Sequence, residues 1–116
     1  MKKSKSIIAL NRKAKFNYQI IDQIEVGIVL TGAEVKSIRK GGVSLDNSYA
    51  VDKKGEFWIN NLYVDLKSYE NSPETTNNIR SKKLLLNKTE IYKINMKVKQ
   101  NGLTMIPLDL HFNKKG

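Results

Sequence analysis

Apolar side chains fall on alternate positions between Tyr18 and Leu30. Tyr18, Ile20, Ile24, Val26, Ile28 and Leu30 hold even positions, with Asp22 among them, while Gln19, Gln23, Glu25 and Gly27 hold odd ones. A period of two predicts one long strand with an inward face, or two strands joined by a bend where Gly27 lets the chain kink. The period changes at Thr31. Thr31 and Glu34 have the spacing of a capping box, which satisfies orphan N–H groups at a helix start. Val35 and Ile38 then share a buried stripe, and Lys36, Arg39 and Lys40 project elsewhere. Gly41 is the expected helix stop.

Alternation returns over Val43, Leu45, Tyr49 and Val51, which predicts a second half-buried strand. Asp52-Lys53-Lys54-Gly55 reads as a hairpin loop, and Phe57 to Val64 as the return strand. The polar stretch 67–79, with Pro73, reads as a surface loop whose length points to function or disorder. Leu84-Leu85-Leu86 reads as a buried run. Asn87 and Glu90 form a second capping box, opening a helix through residue 99 with Ile91, Ile94 and Val98 on its core face. Gly102 ends it. Ile106, Leu108, Leu110 and Phe112 alternate as a last strand, in which Pro107 belongs at an edge or bulge.

Short antiparallel strands with two helices predict a mainly β domain with flanking helices, a small closed or partly open barrel. The 116 residues suit one domain over 16–116, preceded by a basic arm over 1–15. The arm carries Lys2, Lys3, Lys5, Arg12, Lys13 and Lys15 and no acid. It reads equally as a solvated tail and as a contact for a polyanion.

Charge narrows the partner. Twenty-one Lys+Arg against 11 Asp+Glu give a formal charge of +10, a field that favours a polyanionic partner. No apolar run has the roughly 20 residues of a membrane span, and Ile7-Ile8-Ala9-Leu10 is too short for a signal peptide core. The absence of cysteine excludes disulfides and cysteine-bound zinc, and suits a reducing cytoplasm. The acids are scattered, no phosphate-loop motif is present, and Ser37 has no histidine near it in sequence. His111, the one histidine, lies in a strand pattern and reads as a structural or surface residue. Neither catalysis nor a cofactor or metal is expected.

Three basic groups therefore carry the functional reading: Asn11-Arg12-Lys13 with Lys15; Lys36, Arg39 and Lys40; and Arg80, Lys82 and Lys83. Lysine and arginine supply phosphate contacts, and arginine adds fork geometry. Tyr18 reads either as a core aromatic or as a platform for a splayed base. Glu25 reads as an ordinary exposed strand residue, a holder for a basic side chain, or an acceptor for a guanine edge. One of Leu84 to Leu86 is either buried or stacked under an unpaired base.

Four blocks resemble the SmpB family of tmRNA-binding proteins. They are Ala9 to Ala14 with Tyr18; Glu25 to Arg39; Arg80 to Asn87 with Glu90; and Gly102-Leu103-Thr104 with Pro107-Leu108 and Leu110. The resemblance implies an oligonucleotide-binding-type (OB-like) barrel. It implies binding to the tRNA-like domain of tmRNA around its elbow and D-loop, and delivery to the A site of a stalled ribosome in trans-translation. Contact with elongation factor Tu through the tmRNA complex, a monomeric state and a cytoplasmic location are expected with it. Contact positions carry over onto Asn11, Glu25 and Leu85, with the basic residues around them. The rival class is a ribosomal or tRNA-binding barrel protein acting as a permanent scaffold. Family chains continue for tens of residues with a last strand and a basic tail, absent here beyond Asn113-Lys114-Lys115-Gly116. The expectation is a truncated form or fragment, with a diverged short natural form as the alternative, that keeps RNA binding and does not support tagging of stalled peptides.

Overall fold

A computed structural model describes residues 5–66 and 77–113. The chain runs β1 (Lys5–Leu10), α1 (Ala14–Asn17), β2 (Gly27–Ile28), α2 (Gly32–Arg39), β3 (Val43–Ser44) and β4 (Tyr49–Lys53). It continues through β5 (Glu56–Asn60), β6 (Tyr63–Val64), β7 (Lys82–Leu85), α3 (Lys88–Asn101) and β8 (Asp109–Asn113). All pairings are antiparallel: β1 with β8, the order β2-β7-β5-β4, and β3 with β6. The molecule is mainly β with helices, as expected, and the described strands form no closed barrel.

Both capping boxes are present. Thr31 and Glu34 open α2, and Asn87 and Glu90 open α3. The α2 exit is a glycine-dependent turn. Gly41 lies at φ 84°, its N–H donates to the Ile38 carbonyl at 2.9 Å, and the Gly42 N–H donates to that of Ser37 at 2.9 Å. This is a Schellman arrangement, which needs the left-handed residue that glycine supplies without steric cost. Lys54 and Gly55 both have positive φ, the tight two-residue turn that matches strand twist, so the β4–β5 hairpin closes at Lys53 and Glu56.

Several expectations are corrected. The basic arm is not an arm from Lys5 onward: its apolar run Ile7 to Leu10 pairs with β8, and Ala14 to Asn17 form a short helix. The long strand from Tyr18 to Leu30 shrinks to Gly27–Ile28. Residues 18–26 have no strand partner among the described residues, and Ile21 and Ile24 are 64% and 54% exposed. Asp22 accepts from the Gln23 N–H and from Lys97 instead, the side-chain competition that disfavours a ladder. The strands expected over 43–51 and 57–64 each split, with Asn47 and Asn61 in the left-handed region at the breaks. The Leu84–Leu86 run is not buried as a block: alternation along β7 buries Lys82 and exposes Leu85. The loop expected over 67–79 lies outside the described residues from 67 to 76.

The core gathers Ile38 of α2, Val64 of β6 and Ile59 of β5 with Leu45, Leu62 and Leu66 from the connections. Leu110 and Phe112 of β8 and Ile8 and Ala9 of β1 pack against it. The core-facing stripe of α3 is only half-buried, and no α3 residue is fully buried. Among the described residues, no helix is long and apolar enough to cross a membrane.

Candidate nucleic-acid interface

The α2 mount is locked by one buried carboxylate. Glu34 is 1% exposed. Its Oε1 accepts from the Thr31 N–H at 2.8 Å and from Arg80 Nη2 at 2.6 Å, while Oε2 accepts from Arg80 Nε at 3.0 Å. Lys82 Nζ lies 3.7 Å from Oε2 and donates to the carbonyls of Leu62 and Arg80 at 3.2 and 2.7 Å. Burial works to raise the Glu34 pKa, yet hydrogen bonds from Arg80 and Thr31 and the charge of Lys82 hold the carboxyl below its ordinary value. The Arg80 pKa is raised, chiefly by its hydrogen bond to Glu34. Burial pushes the Lys82 ammonium down, with Glu34 opposing.

This lock reassigns part of the third basic group. Lys82 is 0% exposed, so its ammonium serves the fold and is out of reach of a ligand. Arg80 is half-buried and committed to Glu34. Lys83 remains at the surface, 39% exposed and 3.1 Å from Glu56. Lys36 and Arg39 are exposed on α2, and the Arg39 guanidinium sits 4.7 Å from the Phe112 ring centroid, a cation–π contact.

At the N-terminal corner, Asn11 is half-buried. Its N–H donates to the Leu108 carbonyl at 2.8 Å and its Nδ2 to that of Pro107 at 3.0 Å. Arg12 and Lys13 are exposed and line a shallow depression of about 370 Å³ with Leu10, Ser44 and Asp46. Lys15 belongs to α1, and its side chain lies outside the described atoms. Tyr18 is 48% exposed, against the expectation of a core aromatic, and Phe16 is 88% exposed.

The second corner is the β2–β7 edge. Gly27 pairs with Leu85, whose side chain is 52% exposed. A Cβ at Gly27 would lie 3.1 Å from Leu85 Cδ1, so glycine leaves room for that leucine. Two residues earlier, the Glu25 side chain is 64% exposed, with Oε2 2.5 Å from His111 Nε2. His111 Nδ1 lies 2.6 Å from Asp109 Oδ1. Residues 107–111 thus tie the corners together, bonding Asn11 at one end and Glu25 at the other. Sequence reasoning missed Phe16, Asp109 and His111. The available signal was the i, i+2 spacing of Asp109 and His111, which puts both on one face of a strand.

No group of three His, Cys, Asp or Glu suited to a metal occurs among the described residues. The described surface offers exposed cations, the Glu25 carboxylate and exposed apolar side chains, groups with the chemistry to grip phosphates and to stack against or read unpaired bases.

A family model described as SmpB protein matches residues 8–116. The SsrA-binding protein of Chlorobaculum tepidum is 48% identical over 107 residues, 91% of this chain and 67% of that protein. The SsrA-binding protein of Rhizobium meliloti is 44% identical over 114 residues, 97% of this chain and 70% of that protein. A solved structure described as "tmRNA-SmpB: a journey to the center of the bacterial ribosome" matches with a TM-score of 0.72 at 40% identity, covering 92% of this chain and 74% of that one.

Proposed function

The chain belongs to the SmpB family, and from that premise we propose that it binds the tRNA-like domain of tmRNA and delivers it to stalled ribosomes in trans-translation. One observation carries the reading: a chain of contacts links the neighbourhoods of Asn11, Glu25 and Leu85. Asn11 bonds to residues 107 and 108, Glu25 meets His111 three residues on, and Leu85 stands opposite Gly27. Arg12, Lys13, Lys36 and Arg39 are exposed and Lys83 is partly so, and these cations serve as phosphate contacts. Tyr18 and Phe16 offer faces to unpaired bases. Arg80 and Lys82 contribute through the fold.

An OB-like barrel is part of this proposal, supported by the way the sheets approach one another in the chain. The β2-β7-β5-β4 sheet reaches Met105 through a bridge from Ala50, and the chain from Met105 runs into β8, which pairs with β1. Such a barrel presents a stiff convex surface, suited to docking a folded RNA by shape and charge. The protein supplies no covalent chemistry. It works in the cytoplasm as a monomer, reaching elongation factor Tu through the bound RNA.

Glu25→Ala tests the reading. The substitution makes the protein more positive, so a purely electrostatic contact tightens. Recognition by Glu25 predicts weaker binding of the isolated tRNA-like domain in a filter titration at fixed salt. Unchanged or tighter binding removes Glu25 from the interface.

A further inference from the structure

We infer that His111 is the positioning residue for Glu25: held by Asp109, it fixes in advance the carboxylate that meets the RNA. The inference rests on the proposed contact of Glu25 with the tRNA-like domain.

Glu25 lies in a segment with no helix or strand, and its side chain is 64% exposed. A glutamate there has many rotamers, and ordering it on binding costs much of what one hydrogen bond returns. The imidazole removes that freedom. His111 is 14% exposed on β8, whose pairing with β1 sets Ile7 opposite His111 and Leu10 opposite Asp109. Strand geometry puts Asp109 and His111 on one face. Nδ1 meets Asp109 at 2.6 Å and Nε2 meets Glu25 at 2.5 Å. Both contacts are hydrogen bonds only when each ring nitrogen carries a proton. The strand orients the ring, and the ring orients the carboxylate. Only Oε2 is engaged; Oε1 makes no hydrogen bond among the described residues. A pre-set carboxylate with one free oxygen suits a base edge that presents N–H donors, such as the Watson–Crick edge of guanine.

The alternative is that His111 only holds β8 to the preceding loop. A double-mutant cycle separates the two. Affinity for the isolated tRNA-like domain is measured by filter binding at fixed pH and salt for the wild-type chain, His111→Ala, Glu25→Ala and the double variant, with circular dichroism as a check on folding. Positioning predicts that His111→Ala weakens binding about tenfold, within the usual range for coupled neighbours, and has no further effect once Glu25 is alanine. His111→Gln, which keeps an N–H donor, recovers most of the affinity. Asp109→Asn, close in volume, weakens binding only where Glu25 is present, which keeps the test open if His111→Ala does not fold. Equal losses with and without Glu25 overturn the inference while leaving the functional reading intact. A wild-type chain with no preference for the tRNA-like domain over random duplex overturns both.

Discussion

Arg80 grips Glu34 through two parallel hydrogen bonds, Nη2 to Oε1 at 2.6 Å and Nε to Oε2 at 3.0 Å, although 46 residues separate them in the chain. The pair joins the first turn of α2 to the approach to β7. Lys82 lies behind it, its ammonium sealed from solvent. Arg80 and Lys82, two of the three residues in the third basic group, therefore hold in place the helix that carries Lys36 and Arg39.

Removing the carboxylate strands the buried ammonium. Glu34→Ala is expected to cost about 3–5 kcal/mol, the usual penalty for breaking a buried ion pair from one side. Urea denaturation measures it, and a loss within about 0.5 kcal/mol, as at an ordinary surface site, contradicts the assignment.

The same carboxylate sets an acid limit. Its folded pKa lies below the ordinary 4.5, so below that value the unfolded chain takes up the proton first. The stability Glu34 contributes is complete above about pH 4.5 and is lost as the pH falls through its folded pKa. In Glu34→Gln the acid limb of a stability-against-pH curve becomes shallower; a limb of unchanged steepness assigns acid unfolding to other groups.

Buried and exposed cations differ in salt dependence. Lys36→Ala and Arg39→Ala each reduce the slope of log affinity against log salt by roughly 0.7–0.9 for every phosphate no longer neutralised. Lys82→Met leaves that slope unchanged and alters stability. A slope change in Lys82→Met with stability intact places the Lys82 ammonium on the RNA.

Leu85→Ala removes an exposed side chain, so stability changes by no more than about 0.5 kcal/mol. RNA affinity falls several-fold if the leucine stacks against a base. Gly27→Val forces the neighbouring leucine to move and gives a similar loss. Thermal melts beside filter binding separate the two quantities; a large drop in melting temperature with unchanged affinity makes Leu85 a packing residue.

What the sequence disclosed follows the range of the forces involved. Both capping boxes and the glycine stop at Gly41 were legible because every partner lies within a few residues. The alternation from Tyr18 to Leu30 misled because period two records a tendency and carries no information on whether a neighbouring strand exists. The β7 partner is four residues long, and the chain before Gly27 has nothing to pair with among the described residues. Lys82 read as a phosphate contact because its burial depends on Glu34, far earlier in the chain. Tyr18 and Leu85 read as core from hydropathy, yet both are about half exposed. His111 read as incidental because Glu25 reaches it only when β8 passes the Glu25 loop. The SmpB resemblance pointed to Asn11, Glu25 and Leu85 without showing the contacts that link them.

Shape-directed capture of a folded RNA is tested most directly by competition. Labelled tRNA-like domain bound to the chain at about 150 mM salt, where the screening length is about 8 Å, is challenged with random-sequence duplex of equal phosphate content. Recognition of the fold predicts that at least a roughly hundredfold excess of duplex is needed to displace half the complex, well inside the usual gap between specific and non-specific binding. Displacement at equal phosphate concentration would mean that the surface attracts any polyanion alike.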